Sequence, residues 1–599
     1  MRIINITDKN RKVGCIMKNT QKKIGAALMA VAMAASVAAC TKTTGESNGS
    51  AAGSNGVDTT AGTAGDTAAA SNGEVKEFTG FFAVPATNEI NSDNEIQQII
   101  AEKIGAKCQE SWLTGETVAE AIGILVAGGE YPDFINGGDA MPQLVDAGAL
   151  VAWDDYIDQY PNIKEFFSDY EWDQFRQADG HIYWMNPFEN IYGEDKTTCQ
   201  NGEAFWIQTR VLEWDNYPEI KTLDQYFDLL ERYNEANPQT PEGMDNIPYT
   251  ILCEDWRYFC LENAPQFLDG YPNDGSVIVD IDTETIVDYN TTPTAKAYFQ
   301  KLNEEYKKGI VDPESFTQTY DEYIAKLSTG RVLGMVDQWW DFAYTVNNVF
   351  TTQDTEKYGY NYVCLGLTME EGMENQYYTS GGTLNTSSGI AITTSCQDID
   401  GAFKMIDDLL SQEIHDLRFW GVEGVDYLVG DDGLYYRTQE MRDNCANSDY
   451  VAAHMCSYSY FPQWSGTSRD GINAMMPSEQ TSEFYETLPD SVVACFEAYG
   501  VTTYIGLLDS VNKAGCWFPM YSYSNNMNTS TIGGTAWTLM AECKHAWLPQ
   551  VCMADDFEAT WEEYMEAYNA CNPQDFIDEM QQELDRRIDA YNTWMEANS

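Results

Sequence analysis

Tryptophans beside carboxylate and amide residues are the clearest candidates for chemistry in this sequence. Trp339, Trp340 and Asp341 are consecutive, and Trp184 is followed two residues later by Asn186. An indole can bury the apolar C–H face of a sugar ring while neighbouring polar groups hydrogen-bond to its hydroxyls. These residues are therefore candidate contacts to a carbohydrate. We expect Trp339 and Trp340 at the end of a strand, where one indole would face the core and the other the ligand.

Five further residues are candidate ligand contacts. Asn88 and Glu89 follow the first predicted strand. Asp139 follows another predicted strand, but it could instead cap the next helix, and that alternative is slightly favoured. Trp420 and Glu423 stand beside a helix end, where core packing of Trp420 is the favoured interpretation.

Motifs that would indicate catalysis are missing from the sequence. There is no His-Glu-x-x-His, no Gly-x-Ser-x-Gly, no phosphate loop and no dinucleotide-binding glycine fingerprint. Carboxylate pairs spaced for glycoside hydrolysis can be imagined anywhere among 94 acidic residues, so such pairs have little weight. We expect no cofactor, and we predict a binding protein rather than an enzyme.

The net charge of −60 limits the possible partners. Long-range repulsion would oppose the approach of nucleic acid, anionic lipid surfaces and polyanionic ligands. The sequence is 43% hydrophobic, which is ample for a globular core, and its length suggests at least two lobes. The composition therefore favours a soluble, acidic body with an uncharged ligand and no nucleic-acid partner.

The first 39 residues have the composition of a secretory signal peptide. A basic head precedes an apolar run over 24–39, and Met17 is a better start than Met1. The run is shorter and richer in alanine than the roughly 18 strongly apolar residues that a membrane span needs. We therefore predict a signal peptide over 1–39 rather than a transmembrane anchor.

A lipid anchor is predicted at Cys40. Residues 37–40 (Val-Ala-Ala-Cys) resemble a bacterial lipobox, in which the cysteine receives a diacylglycerol and becomes the mature N-terminus. Residues 40–75 are rich in Gly, Ser, Thr and Ala, so they cannot bury enough surface to offset their ordering entropy. We predict a flexible tether that holds the body at the extracellular face of the cell membrane.

The body, 76–599, alternates predicted strands and helices. A strand over 77–84 is followed by a helix that ends at Ile104, and a short strand over 131–135 follows the next helix. Such alternation indicates an α/β body with parallel strands. The C-terminus is predicted to be helical, with apolar stripes formed by Phe557, Trp561, Met565 and Tyr568 and by Phe576, Met580, Leu584, Ile588 and Tyr591.

Several stretches of the body resemble the extracellular solute-binding protein family 1, particularly the LplA-like lipoproteins of Gram-positive gut bacteria. They occur in the family's order and cover most of the body. The stretches are 130–139 (Glu-Tyr-Pro-Asp-Phe-Ile-Asn-Gly-Gly-Asp), 144–151 (Leu-Val-Asp-Ala-Gly-Ala-Leu-Val), 205–210 with 221–224, 330–335 with 339–341, and 399–403 through 421–424.

The resemblance implies the type II periplasmic-binding fold, with two α/β lobes, a hinge and an interlobe cleft. We expect lobe 1 over 76–195 plus 345–420 and lobe 2 over 196–344 plus 421–599. It also implies capture of a carbohydrate, an oligosaccharide, for the permease subunits of an ABC importer, and we expect a monomer. A secreted glycoside hydrolase and a peptide-binding lipoprotein of the same fold stay open as alternatives.

One departure from the family concerns a calcium loop. Many relatives carry Asp-x-Asn-x-Asn-x-x-x-Asp-Glu-Ile-Pro, and the equivalent stretch here is 237–248. Only Asp245 keeps its carboxylate, and Pro241 has no side-chain oxygen. Because calcium needs several oxygen ligands with anionic charge, we predict that this site is lost and that the protein binds no metal.

Overall fold

The chain folds around two β-sheets, each with its own hydrophobic core. The computed structural model describes residues 75–85, 90, 92–186, 189–380, 384, 386–508, 511–513, 515–525 and 527–598, all within one compact unit, Ala70–Ser599. The predicted signal peptide, Cys40 and the tether up to residue 74 lie outside the described residues. No described helix is both long and apolar enough to cross a membrane.

The strands are β1 (Lys76–Pro85), β2 (Ala106–Leu113), β3 (Phe134–Asn136), β4 (Trp184–Met185), β5 (Glu189–Tyr192), β6 (Glu203–Gln208), β7 (Ile247–Tyr249), β8 (Ile278–Asp280), β9 (Thr285–Val287), β10 (Val332–Gln338), β11 (Tyr362–Leu365), β12 (Tyr378–Ser380), β13 (Ile390–Ile392), β14 (Leu428–Val429), β15 (Tyr435–Tyr436), β16 (Gln463–Gly466) and β17 (Val511–Lys513).

The α-helices are α1 (Glu95–Ile104), α2 (Val118–Gly128), α3 (Met141–Asp146), α4 (Pro161–Phe166), α5 (Asp169–Gln174), α6 (Thr209–Trp214), α7 (Leu223–Ala236), α8 (Phe259–Glu262), α9 (Ala264–Leu268), α10 (Pro293–Lys308), α11 (Tyr320–Ser328), α12 (Trp339–Thr352), α13 (Ile399–Leu409), α14 (Gln412–Phe419), α15 (Gln439–Ala446), α16 (Ser448–His454), α17 (Thr481–Tyr485), α18 (Asp490–Tyr499), α19 (Tyr521–Ser524), α20 (Ile532–Met553), α21 (Phe557–Asn569) and α22 (Pro573–Asn598).

The first sheet has the strand order β2-β1-β3-β13-β4. Strand β1 is parallel to β2 and β3, and β13 is antiparallel to both of its neighbours. Helices α1 and α2 carry the chain back between the parallel strands. The carboxyl ends of β1, β2 and β3 therefore meet at one edge. The core on this sheet includes Phe82, Ile135, Trp153, Phe403 and Phe461.

The second sheet has the order β11-β6-β10-β7. Strand β6 is antiparallel to β10 and β11, whereas β7 is parallel to β10. Every residue of β6 is buried, so this strand lies between two covered faces. The second core includes Trp206, Tyr226, Tyr249, Phe342 and Met540.

Helix boundaries follow the expected capping chemistry. Helix α1 begins after Asn94, whose side chain accepts a hydrogen bond from the Gln97 backbone N–H, and it ends at Gly105 in the left-handed conformation (φ 74°). The predicted C-terminal helices are confirmed as α21 and α22. The residues of their stripes pack in or against the second core, except Tyr591, whose ring centroid lies 5.4 Å from that of Tyr170. Local sequence signals thus place these helices correctly.

The lobe boundaries that follow from the two cores differ from the expected ones. Strand β11, at 362–365, pairs with β6 in the second sheet, and Val346 and Phe350 pack in the second core. Trp464 and Met475 pack in the first core instead. The chain therefore stays in the second lobe through 345–380 and in the first through 421–476, because strand pairing decides the lobe.

Asp195 joins two of the segments that connect the lobes. The chain passes between the cores after β5, after β12 and after β16. The Asp195 carboxylate accepts hydrogen bonds from the Tyr378 hydroxyl at 2.6 Å and from the Thr197 N–H at 2.9 Å. The Thr198 hydroxyl donates to the Ser478 carbonyl oxygen at 2.6 Å, which ties in the third segment.

Replacing Asp195 with Asn should destabilise the protein. Burial alone would raise the pKa of Asp195, but hydrogen bonds from Ser380, Tyr378 and Thr197 hold it below the usual value. The stabilisation is therefore present above the usual Asp pKa and lost as pH falls through the lower folded pKa. In denaturant titrations at pH 7, we expect Asp195→Asn to lower the free energy of unfolding by about 2 kcal/mol.

Glu194→Gln is the matched control for this change. The Glu194 carboxylate is exposed and 4.0 Å from Lys196, so its loss should change the free energy of unfolding by less than about 0.5 kcal/mol. The difference between the Asp195 variant and the wild type should shrink toward pH 3. An equal effect of the two substitutions at pH 7 would contradict the assignment of Asp195 as the connecting residue.

Candidate functional site

Two exposed tryptophans meet at the carboxyl edge of the second sheet. Trp340 lies in the first turn of α12, directly after β10, and Trp256 follows β7, which is parallel to β10. Their ring centroids are 5.8 Å apart and their planes are 10° from parallel. Trp340 is 40% exposed and Trp256 is 54% exposed. This pair, the indole platform, presents one aromatic surface at the edge where α/β sheets bind ligands.

Trp339 turns away from the indole platform into the core. The expected strand geometry at these residues is wrong, because β10 ends at Gln338 and α12 begins at Trp339. Consecutive helical residues are about 100° apart around the helix axis, so one indole still points inward and the other outward. Trp339 packs against Trp206 and Tyr504, with ring centroids 5.3 and 4.9 Å away.

Asp341 supports the indole platform from below and does not face a ligand. Its buried carboxylate accepts hydrogen bonds from Nε of Arg257 at 2.9 and 3.2 Å. The Arg257 guanidinium lies 4.3 Å from the ring centroid of Trp256 and 3.9 Å from that of Tyr320. The Tyr320 hydroxyl donates to the Asp341 carbonyl oxygen at 2.6 Å. The ion pair therefore orients Trp256 through a cation–π contact.

A second buried carboxyl group, that of Asp337, lies near the end of β10. The Tyr323 hydroxyl donates to it at 2.6 Å and the Gln338 N–H at 2.7 Å. Burial, and then the charge of Asp341, raise the pKa of Asp337 well above its usual value. Burial also raises the pKa of Asp341, against the opposing hydrogen bond from Arg257. Asp337 therefore keeps its proton at pH values where an exposed aspartate is ionised.

The tryptophans predicted in the first lobe are packing residues. Trp184 is 1% exposed, and its Nε1–H donates to the Thr386 carbonyl oxygen at 3.1 Å, so it offers no open indole face to a ligand. Asn186 is also buried. Trp420 is fully buried, with its Nε1–H bonded to the Ala474 carbonyl oxygen at 3.1 Å, which confirms core packing as the favoured interpretation.

The acidic candidates of the first lobe are exposed. Asp139 lies in a short 3-10 turn after β3, and it does not cap α3, because Ala140 holds that position without a side-chain hydrogen bond. It therefore stays a candidate contact at the carboxyl edge of the first sheet. Glu423 is exposed in the turn after α14. Asn88 and Glu89 lie outside the described residues.

Sequence reasoning missed Trp256 and Arg257. Both follow β7, in a segment whose backbone turns sharply at Asp255, with φ at 51°. The signal that could have found them is the one used for Asp139, namely polar and aromatic residues directly after a buried strand. The short β7 has no alternating pattern that would have marked it as a strand.

In the stretch 237–248, side-chain oxygens that could bind calcium accept hydrogen bonds from other side chains of the protein. The Asp245 carboxylate accepts a hydrogen bond from the Gln239 amide at 2.9 Å, and the Asn246 side-chain oxygen accepts one from Arg210 at 3.0 Å. The buried Arg210 also packs against the Tyr360 ring, 4.7 Å from its centroid. Among the described residues, no group of three or more His, Cys, Asp or Glu could hold a metal ion.

One curated protein is similar in sequence to part of the chain. The fructooligosaccharide ABC transporter substrate-binding protein FusA of Streptococcus pneumoniae is 26% identical over 225 residues. The alignment spans 35% of this chain and 40% of that protein, less than half of either. No protein-family model matches the chain.

Two solved structures share the fold over nearly all of the body. The structure of a FusA EF-hand mutant from S. pneumoniae with fructo-nystose has a TM-score of 0.59 at 16% identity, covering 88% of this chain and 100% of that one. An HMO-binding solute-binding protein from Bifidobacterium longum infantis has a TM-score of 0.57 at 13% identity, covering 86% and 99%. The chain therefore has the two-lobe α/β fold of solute-binding proteins, as the resemblance implied.

Removing the Arg257 side chain should destabilise the second lobe. Arg257→Ala leaves the Asp341 carboxylate buried without its counterion, which typically costs about 3–5 kcal/mol. Arg232→Ala is the control, because Arg232 also contacts two aspartates and an indole but is exposed. Denaturant titration should show a loss of about 3 kcal/mol for Arg257→Ala and less than about 1 kcal/mol for the control. Similar losses for both would contradict the supporting role of the ion pair.

Calcium should not stabilise the protein through the stretch 237–248. The Asp245 and Asn246 oxygens already accept hydrogen bonds, and too few carboxylates remain to displace water from the ion. We expect the thermal unfolding midpoint to be the same with 1 mM calcium and with a chelator, in both wild type and Asp245→Ala. A calcium-dependent rise in the wild type that Asp245→Ala abolishes would show that the site is retained.

Proposed function

We propose that the protein is an extracellular, lipid-anchored solute-binding protein that captures an oligosaccharide for an ABC importer. The observation that carries this proposal is the indole platform at the carboxyl edge of the second lobe. The FusA relative and the HMO-binding structure are named as transporter-associated binding proteins, which supports the same class of function.

The geometry of the platform suits a sugar ring that stacks on its outer face. A sugar ring inserted between two indoles needs a favourable carbon–carbon distance of about 3.5–4 Å on each face, or about 7 Å in all. The centroids of Trp256 and Trp340 are only 5.8 Å apart. A sugar would therefore stack on the outer face of the pair. That outer face belongs to one indole, which can cover the C–H face of one sugar ring of the ligand.

Capture requires that both lobes contact the ligand. Asp139 at the first sheet and the platform at the second are exposed residues at the carboxyl edges of their sheets. A ligand that contacts both lobes stabilises the closed arrangement relative to the open one by its differential affinity. The segments joined at Asp195 are the natural hinge for this change.

The cellular setting follows from the N-terminal sequence. A diacylglycerol on Cys40 would hold the body at the outer face of the cell membrane, with residues 40–75 as the tether. ABC permease subunits would then be the protein partner, and we propose a monomeric binding protein. Net repulsion from anionic surfaces would keep the body away from the lipid.

We further propose that the protein does not alter its ligand chemically. The Asp337 and Asp341 carboxyl groups lie beneath the platform, and both are engaged by side chains or backbone of the same lobe. Neither is open to a glycosidic bond on the platform. The named relatives are binding proteins, in agreement with this proposal.

Truncating the platform should weaken oligosaccharide binding. Burial of about 100 Å² of indole face contributes about 2 kcal/mol, so Trp340→Ala should raise the dissociation constant about 10- to 100-fold. Trp214→Ala is the matched control, because Trp214 is also 40% exposed but lies at the end of α6, beside Arg232. Isothermal titration with a panel of neutral oligosaccharides measures both.

The alternatives give different results in the same experiment. If the wild-type protein binds peptides and no oligosaccharide, the ligand is a peptide and not a carbohydrate. Chromatography of the recovered sugar after long incubation would show shorter products if the protein were a glycoside hydrolase. If the Trp340→Ala and Trp214→Ala variants bind the oligosaccharide with equal affinity, the platform is not part of the binding site.

A further inference from the structure

A cavity of 210 Å³ lies in the first lobe beside the end of β2. Ile90, Trp112 and Phe419 contribute apolar atoms to its wall, and Glu110 and Ser457 contribute polar ones. Ile90 follows β1, and Trp112 is the residue before the last of β2, which is parallel to β1. The cavity therefore lies at the carboxyl edge of the first sheet, where a ligand held by both lobes would reach it.

One oxygen of the Glu110 carboxyl group is an acceptor without a donor. Its Oε1 is buried and has no hydrogen-bond partner among the described residues. Burial raises the pKa of Glu110 to about 7, against the opposing charge of Arg418. Leaving a buried acceptor unpaired is unfavourable. A ligand hydroxyl that donates to this oxygen would therefore form a hydrogen bond that no described residue supplies.

Arg418 cannot supply the missing donor. Its guanidinium donates to the carbonyl oxygens of Leu409, Ser457, Tyr458, Phe461 and Pro462 at 2.8 to 3.2 Å. These bonds fix the guanidinium to the backbone of the cavity wall. It contributes positive charge to the cavity, but its hydrogen-bonding capacity is used.

The aromatic wall of the cavity is held rigidly. The Trp112 ring contacts those of Phe82 and Tyr460, with centroids 5.3 and 5.2 Å away. Ser457 and Ser459 share a hydrogen bond of 2.6 Å beside it. A hydroxyl group can accept further hydrogen bonds while it donates one. The cavity thus combines an aromatic face, a buried carboxyl acceptor and a pair of hydroxyls.

We infer that this cavity is a subsite for one neutral sugar ring of the captured ligand, whose hydroxyl groups donate to Glu110 and whose C–H face packs against Trp112. The inference rests on the proposed oligosaccharide function and adds the recognition of one ring in the first lobe. A cationic amine fits less well, because the guanidinium groups of Arg418 and Arg437 both lie on the wall. An anionic ligand would be opposed by Glu110 and by the net charge of −60.

Substitution of Glu110 tests this subsite. Glu110→Ala should raise the dissociation constant of the tightest-binding neutral oligosaccharide by at least tenfold, because it removes a hydrogen-bond acceptor of the ligand. Glu110→Gln should have a smaller effect, because the amide keeps one carbonyl acceptor. The control is Glu102→Gln, an exposed residue on α1, which should bind within twofold of wild type. Isothermal titration with neutral di- to hexasaccharides is the measurement.

A stability measurement separates a binding role from a structural one. If Glu110 serves the ligand, the ligand-free Glu110→Gln variant should keep or raise its thermal unfolding midpoint at pH 8, because an unpaired buried carboxylate has been removed. A lowered midpoint together with unchanged affinity would show that Glu110 has a structural role, and it would overturn the inference. Glu110→Gln also decides the test if Glu110→Ala does not fold.

The failure of the subsite and the failure of the proposed function look different. Wild type that binds no neutral oligosaccharide would overturn both before any variant is made. If Trp340→Ala weakens binding but Glu110→Ala stays within twofold of wild type, the oligosaccharide function stands and the subsite is overturned.

Discussion

The architecture of the second lobe depends on how a buried carboxylate is neutralised. Asp341 lies at the start of α12 with its side chain out of contact with water, so it needs a counterion at hydrogen-bond distance. Arg257 supplies it, and the same guanidinium stacks on Trp256. The requirement for charge neutralisation inside the lobe therefore sets the position of an aromatic ring on its surface. Exposed rings rarely have fixed orientations, and this one is fixed from below.

Several buried arginines bind carbonyl oxygens of the backbone, despite the excess of acidic residues, and Arg587 binds the Glu583 carboxylate at 2.7 Å as well. Arg418 holds five carbonyl oxygens of the first lobe. Arg587 donates to the carbonyl oxygens of Trp517 and Pro519 at 2.7 and 2.6 Å, and to the hydroxyl of Ser522. Arg210 holds the Gly330 carbonyl oxygen. A planar group with five donors can link chain segments that share no regular secondary structure.

Local signals in the sequence predicted the helices and the order of strands better than the site. The strands and helices from β1 to β3 alternate regularly, and the apolar residues of α21 and α22 recur at helical spacing. Such spacing can be recognised in a single sequence. Which segments share a lobe depends on pairing between distant strands, as β11 with β6 shows, and no local pattern encodes it.

The platform combines Trp340, which was predicted, with Trp256, which was not, because their contact depends on the parallel pairing of β7 and β10. Trp184 matched the chemistry of a platform equally well and is buried, because residue type does not reveal which side of a strand faces the core.

The threading of the chain through both lobes has a consequence for its synthesis. Strand β13 completes the first sheet between β3 and β4, but it follows β6, β7, β10 and β11 in the chain. An emerging polypeptide cannot finish its first lobe until the strands of the second have been made, and the second in turn awaits α20 and α22 near the C-terminus. The first core needs residues up to Met476 and the second needs residues up to Leu584, so neither lobe can be completed until most of the chain has been translated. For the exported protein that we propose, this late completion would keep the chain unfolded enough to pass through a narrow export channel.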